Sequence, residues 1–249
     1  MNHKGITLAY HEKWLGEDGC LSSPFGINFI YSDHRNVCQA GYPHQFDLMV
    51  WLDSDRLIVS YGDKTAGKIE LLRDVVGARG DVSGLAEGIA QVYSHRPAHE
   101  IKFMFKELAP KPNITVKILS MEDYKDYEAF YLACYPGSDV GWLGEYFSKI
   151  AAKGYCCGVY VDGALISCTD GPDMPYMSDF IQHIGINTVE GYQGKGYATA
   201  ACIAALDNVL AQNKVPEWSC PIANIPSQKL AERVGFAKLA DVLTLTLQA

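Results

Sequence analysis

The stretch Ile184-Gly-Ile-Asn-Thr-Val-Glu-Gly-Tyr-Gln-Gly-Lys-Gly-Tyr-Ala-Thr199 holds the residue types and spacing best suited to chemistry in this chain. Its apolar, β-branched start reads as the end of a strand, and its glycines lead into an alanine-rich run of helical pattern. Small residues at such a junction let consecutive backbone N–H groups close on an anion. The first turn of the helix adds unpaired donors and a partial positive charge. Gln193, Gly194, Lys195, Gly196, Tyr197, Ala198 and Thr199 therefore form a candidate cradle for a diphosphate, and Lys195 adds a screening charge. A glycine turn that merely feeds a helix has the same look, so Gly-x-Gly alone does not separate the two readings.

The elements that would position this loop can be read on either side of it. Phe46–Ser60 reads as a strand–turn–strand, Lys68–Val76 and Gly84–Tyr93 as helices punctuated by Gly77 and Gly80, and Ile101–Lys106 as a half-exposed strand. Two prolines in Glu107–Asn113 mark a boundary between residues 1–112 and 113–249. Beyond it come a strand over Ile114–Leu119 and a capping box at Ser120–Asp123 that opens a helix reaching Cys134. A second helix spans Trp142–Ala152. Tyr155–Val161 and Ala164–Thr169 form a hairpin about Asp162-Gly163, and Ile181–Val189 is one strand. A helix over Gly194–Asn213 follows, apolar almost all round and so expected to be buried. The chain closes with a strand at Trp218–Ile222, a helix at Ser227–Val234 and a strand at Leu239–Leu247. This order predicts an α/β fold of α+β type with a mixed sheet, not a doubly wound one.

With 249 residues, 48% apolar and 20% charged, the chain has enough apolar material for a core, which excludes disorder and fibrous repeats. A net charge of −8 argues against nucleic acid and anionic membranes as partners. Eight cysteines without a C-x-x-C pair, a polar Met1–Trp14 and no membrane-length apolar run are expected of a cytoplasmic protein with reduced thiols.

Two motifs together carry a resemblance. Gln193-x-x-Gly196-x-Ala198 is similar to the acyl-CoA pyrophosphate loop of the GNAT N-acetyltransferase superfamily. Asn224-x-x-Ser227-x-x-Leu230 followed by Gly235-Phe236 resembles that superfamily's next motif. Pro216-x-Trp218-x-Cys220 resembles a bacterial two-domain subgroup of unassigned substrate. The resemblance covers residues 113–249 and implies a GNAT fold there, preceded by a smaller α/β domain that is a degenerate GNAT-like copy or a cover for the substrate. It implies acetyl-CoA as co-substrate, no metal, and direct acyl transfer to the amine of a small-molecule or amino-acid-like acceptor. It leaves the oligomeric state open, with a homodimer among the forms. An alternative is a catalytically weak acyl-CoA sensor or scaffold.

Carried over residue by residue, the resemblance puts the backbone of Asn187, Thr188 and Val189 along the pantetheine arm. The Thr188 or Val189 N–H then faces the thioester oxygen. Residues 193–199 hold the diphosphate, and Asn224 and Ser227 lie along the cofactor, where they equally suit helix capping. An alkyl ammonium must lose a proton before it attacks, so a base is expected. Members often place a glutamate on this strand; here Gln182 and His183 stand at that level, with Asp179 just before. His183 is the first choice because its ordinary pKa suits the task. A buried histidine is also commonly a hydrogen-bonded core residue. Asp170 and Asp173 are weaker candidates. The tyrosine that often serves as acid is Ala231 in this chain, leaving Cys220, Ser227 or a tyrosine from elsewhere.

Two further patterns are set aside. Gly62–Lys68 nearly spells a P-loop, but Ile69 stands where the metal-binding hydroxyl belongs. His95 and His99 have the spacing of a metal pair, but Arg96-Pro97 breaks the helix that would align them.

Overall fold

The computed structural model describes residues 2–22, 26–77 and 81–247. Chain order begins α1 (His3–Leu15), β1 (Gly26–Tyr31), β2 (Leu48–Leu52), β3 (Arg56–Tyr61), α2 (Asp63–Ala66), α3 (Ile69–Gly77), α4 (Val82–Tyr93) and β4 (Ala98–Phe105). It continues with β5 (Lys117–Ile118), α5 (Tyr124–Cys134), α6 (Leu143–Ala152), β6 (Cys157–Val161), β7 (Ala164–Asp170), β8 (Ile181–His183) and β9 (Gly185–Thr188). The last elements are α7 (Tyr197–Ala211), β10 (Val215–Pro221), α8 (Ile225–Val234) and β11 (Phe236–Leu245). The mixed α/β class holds. Gly80 lies outside the described residues.

Three elements have no counterpart in the sequence reading, the one-turn helix α2 among them. Helix α1, capped by Asn2, whose side chain accepts from Gly5 N–H, buries Thr7, His11 and Glu12 along with Tyr10, Trp14 and Leu15. A helix that buries polar residues among apolar ones shows little periodicity. Strand β1 pairs in parallel with β3, a long-range contact without a local signature.

The strands form a seven-stranded sheet in the order β1-β3-β2-β11-β4-β10-β8 and a four-stranded sheet in the order β5-β6-β7-β9. The larger sheet runs across the proline-rich segment at 107–113. Strand β4, the last of the N-terminal half, lies between β10 and β11 of the C-terminal half, antiparallel to both. Strand β11 in turn lies between β4 and β2. Each half thus lends its last strand to the other. On one face Phe103 and Phe105 of β4 pack with Trp218 and Phe236 against α7 and α8; on the other, α1 covers β4 and β10. A fragment of residues 113–249 lacks β4, so it would expose the inner edges of β10 and β11 and the Trp218 and Phe236 rings. Calorimetry of that fragment is expected to show no cooperative melt, and a cooperative transition near that of the full chain would overturn this.

Helix α7 explains the alanine-rich pattern. Ala200, Ala201, Cys202, Ile203, Ala205, Leu206 and Val209 are all buried, and the helix bridges the two sheets through β6, β7, β9 and β10. Each large aliphatic side chain buried here stabilises the fold by about 1.5–3 kcal/mol.

The single strand expected over Ile181–Val189 is corrected. It breaks at Ile184, so that β8 pairs in parallel with β10 while β9 pairs antiparallel with β7. One chain segment therefore passes from one sheet to the other, and the sheets part beyond the break. Gly185, paired with Asp170 across the two strands, lets the Asp170 carboxylate lie close against the backbone, in space a Cβ would fill.

Candidate functional site

The parting of β9 from β10 leaves one edge of β9 without a partner strand. Val189 N–H donates to Ile166 O at 2.9 Å, toward β7. Successive N–H groups of a strand alternate in direction, so those of Thr188 and Ile186 face the open side and that of Asn187 faces β7. Of Asn187, Thr188 and Val189, only Thr188 turns its N–H to the open side, and Ile186 does the same. Thr188 is held in place by its hydroxyl, 2.8 Å from Ser167 Oγ, and by its carbonyl, which accepts from Gln193 Nε2 at 3.2 Å.

At the far end of β9 the glycine loop turns into α7. Gly196 is the N-cap with φ +88°, and no side chain caps the helix. The first turn carries no acidic residue. An unpartnered helix start with its amides pointing outward is a ready anion site. Lys195 Nζ sits 5.2 Å from the centre of the Tyr192 ring. A cleft of about 480 Å³ runs along these groups from Ile186–Thr188 past Gln193–Thr199 to Asn224 and Ser227, with Lys229 and Arg233 on its α8 wall. These two cations were not anticipated from the sequence; their signal was a basic pair at i, i+4 on the helix that follows the cleft.

Asn224 and Ser227 belong both to the capped start of α8 and to the wall of the cleft. Asn224 Oδ1 accepts from Ser227 N–H at 3.2 Å as the α8 N-cap, and Ser227 Oγ accepts from Trp218 Nε1 at 3.1 Å, while both residues line the cleft. Asn187 turns its side chain toward α5, where Tyr135 Oη donates to its Oδ1 at 2.9 Å.

Where β8 and β10 still pair, His183 stands opposite Glu217, and its Nδ1 lies 2.6 Å from Glu217 Oε2. Burial alone would lower the His183 pKa; the charge and hydrogen bond of Glu217 outweigh it and raise the pKa above the ordinary value. Burial would likewise raise that of Glu217, but His183, with Lys102 and His11 behind it, brings it down to about 2. Asp170, at the end of β7, is raised by burial, an effect that His183 and a hydrogen bond from Tyr146 oppose. The imidazole is therefore paired with Glu217 at the point where the sheets divide, and the charge of Asp170 acts on it from β7. The sequence reading passed over Glu217, although an acid between Val215 and Trp218 in an otherwise apolar strand was a signal for it.

Asp179 is not brought into this cluster. It lies exposed in the turn at 178–180, four residues before His183. Asp173 pairs with Lys153 at the surface. Ala231 is fully buried in the core, and burial pushes the Cys220 thiol up. Around the P-loop-like segment, Thr65 Oγ1 donates to Asp47 O, and Lys68 Nζ to Val92 O. His99 faces Asp241 at 2.9 Å, whereas His95 Nδ1 faces Tyr93 O.

Residues 151–241, which contain α7, the glycine loop, the His183–Glu217 pair and the open edge of β9, match the family model described as GNAT acetyltransferase. Residues 151–241 form a GNAT domain. Solved structures agree with that fold. A GNAT-family acetyltransferase from Colwellia psychrerythraea is 17% identical over 61% of this chain, with a TM-score of 0.53. A GCN5-related N-acetyltransferase from Sphaerobacter thermophilus is 12% identical over 68% of the chain, with a TM-score of 0.54. The chain spans 56% and 58% of their lengths. No curated protein matches the sequence. Among the described residues no group of histidine, cysteine and carboxylate side chains could hold a metal ion, and no helix is long and apolar enough to cross a membrane.

Proposed function

We propose that the chain is an acetyl-CoA-dependent N-acetyltransferase that passes the acetyl group directly to the amine of a small-molecule or amino-acid-like acceptor. One observation carries this reading: an unpaired strand edge at Thr188 leads straight to an uncapped helix start at Gly196. The edge offers backbone groups to an extended amide-bearing arm, and the helix start offers amides to a diphosphate. Lys229 and Arg233 on the cleft wall, and Lys195 over the Tyr192 ring, add positive charge beside a chain that is otherwise acidic.

Acetyl-CoA supplies the thioester, and the residues of this chain supply orientation and proton handling. Thr188 N–H faces the side on which negative charge develops at the thioester oxygen. The neutral acceptor nitrogen bonds to the acetyl carbon, the carbon–sulfur bond breaks, the sulfur leaves with the electron pair as a thiolate, and the second proton that the nitrogen sheds on becoming an amide passes to solvent. His183 takes the ammonium proton through Nε2, since its Nδ1 is held by Glu217. A thiol with an ordinary pKa of about 8.5 leaves without an acid at position 231.

A sensing module is the second reading, favoured by the buried Ala231 at the usual acid position. Free-thiol release from acetyl-CoA with a panel of primary amines decides between them. Steady amine-dependent release is expected, whereas CoA binding without turnover across the panel would overturn the enzymatic reading.

A further inference from the structure

A second cavity lies on the face of the seven-stranded sheet that α1 covers. Its walls are aromatic: Trp14 meets Tyr42 and Phe46 edge-on at 5.3 and 6.0 Å, and Trp51 lies 4.9 Å from the His11 ring. Its floor is charged, with Lys102 Nζ 2.7 Å from Glu100 Oε2. The cavity is open on one side, and its volume of about 40 Å³ takes roughly three or four non-hydrogen atoms, a carboxylate and the carbon that bears it, with any further atom at the mouth, at about 10–15 Å³ for each water-sized site.

Polar groups line this cavity as well as aromatic ones. His11 Nε2 is buried and has no hydrogen-bond partner among the described residues. Burial takes the His11 pKa down to about 3, so the ring adds no charge to the cavity. Among the described residues Lys102 Nζ makes one hydrogen bond, to Glu100 Oε2, and no bond is made to Glu100 Oε1. The ammonium is the deeper group, with its side chain 17% exposed against 37% for Glu100. A ligand bearing only a cation meets Lys102, and one bearing only an anion meets Glu100. A ligand with both charges on adjacent atoms complements the pair, with its anion inward and its cation toward the mouth.

Register ties this cavity to the proposed catalytic pair. Lys102 is two residues along β4 from Met104, which pairs with Glu217, which pairs with His183. That places the Lys102 and His183 Cα atoms about 12 Å apart at ordinary strand spacing and rise. The Glu217 charge acts on both Lys102 and His11.

We propose that this cavity holds the zwitterionic head of an amino-acid acceptor, its carboxylate on Lys102 and its ammonium on Glu100, while a side-chain amine extends toward His183. The assignment rests on the acetyltransferase reading for its second half and on the cavity alone for its first.

The test is calorimetry on the full chain without acetyl-CoA, using L-lysine, 1,5-diaminopentane (which lacks the carboxylate) and 6-aminohexanoate (which lacks the α-ammonium). Lysine is expected to bind at least tenfold more tightly than either analogue. The double variant E100Q/K102M removes both charges together, so neither is stranded in the interior. It is expected to melt close to the parent and to lose that preference. Equal affinity for the three probes, or lysine affinity unchanged in a folded double variant, overturns the proposal. Lysine preference without thiol release from acetyl-CoA would sustain the head-group pocket and sink the acetyl-transfer reading. Thiol release with simple monoamines but no lysine preference would do the reverse.

Discussion

Gly196→Glu is expected to weaken acetyl-CoA binding at least 100-fold while leaving the fold intact. Two costs add. At φ +88° a residue with a Cβ sits in the left-handed region, which costs about 1–2 kcal/mol. Its carboxylate also stands where the proposed diphosphate meets the first amides of α7. A like charge about 4 Å away costs about 1–4 kcal/mol across the dielectric range from water to a protein surface. Together these come to about 2–6 kcal/mol, a range centred above the roughly 2.8 kcal/mol that corresponds to 100-fold. The new Cβ would lie 3.6 Å from Ile114 Cδ1, an ordinary contact, so packing is not the cause. Gly196→Ala, which brings only the backbone strain, is expected to lose about tenfold, near the 1.4 kcal/mol of one decade. Affinity of the glutamate variant within threefold of the parent in calorimetry would remove the loop from the binding site.

His183→Ala is expected to lower kcat at least 100-fold, the usual worth of a positioned base, with acetyl-CoA affinity unchanged. The pH dependence carries the sharper signature. A base works unprotonated, so the rate should rise with pH through a midpoint above 6.5, the ordinary histidine value, because Glu217 holds the imidazole pKa up. In Glu217→Gln that support is gone and burial dominates, which moves the midpoint to lower pH and lowers the plateau by making a weaker base. A parent-like pH–rate curve in both variants would demote the pair to packing. The linkage to stability has two signs. The His183 contribution is present in full below its ordinary pKa and fades as pH rises through the folded value. That of Glu217 is present above about 4.5 and is lost as pH falls toward 2.

Particular residues show which parts of this arrangement were legible. The glycines of the loop, the alanines of α7 and the Asn224–Ser227 cap announce themselves locally, because backbone conformation, helix burial and capping depend on residues within a turn or two of each other. His183 stood out for its own titration chemistry. Glu217 did not, because what makes it matter is a partner 34 residues away, reached only when β10 pairs with β8. The break at Ile184 was equally hidden, since the segment is apolar and β-branched on both sides and only its neighbours differ.

By its sequence alone the chain determined the glycine turn before α7, the buried helix behind it and the mixed order of strands and helices. These follow from local backbone freedom, capping and hydrophobic period. Tertiary structure alone decided that β4 and β11 are exchanged between the halves, that one strand divides between two sheets, and that α1 closes a charged, aromatic-walled cavity near His183. Strand partners are chosen by long-range pairing, whose cost is chain entropy and whose reward is shared burial, and neither is written in the residues of any one strand.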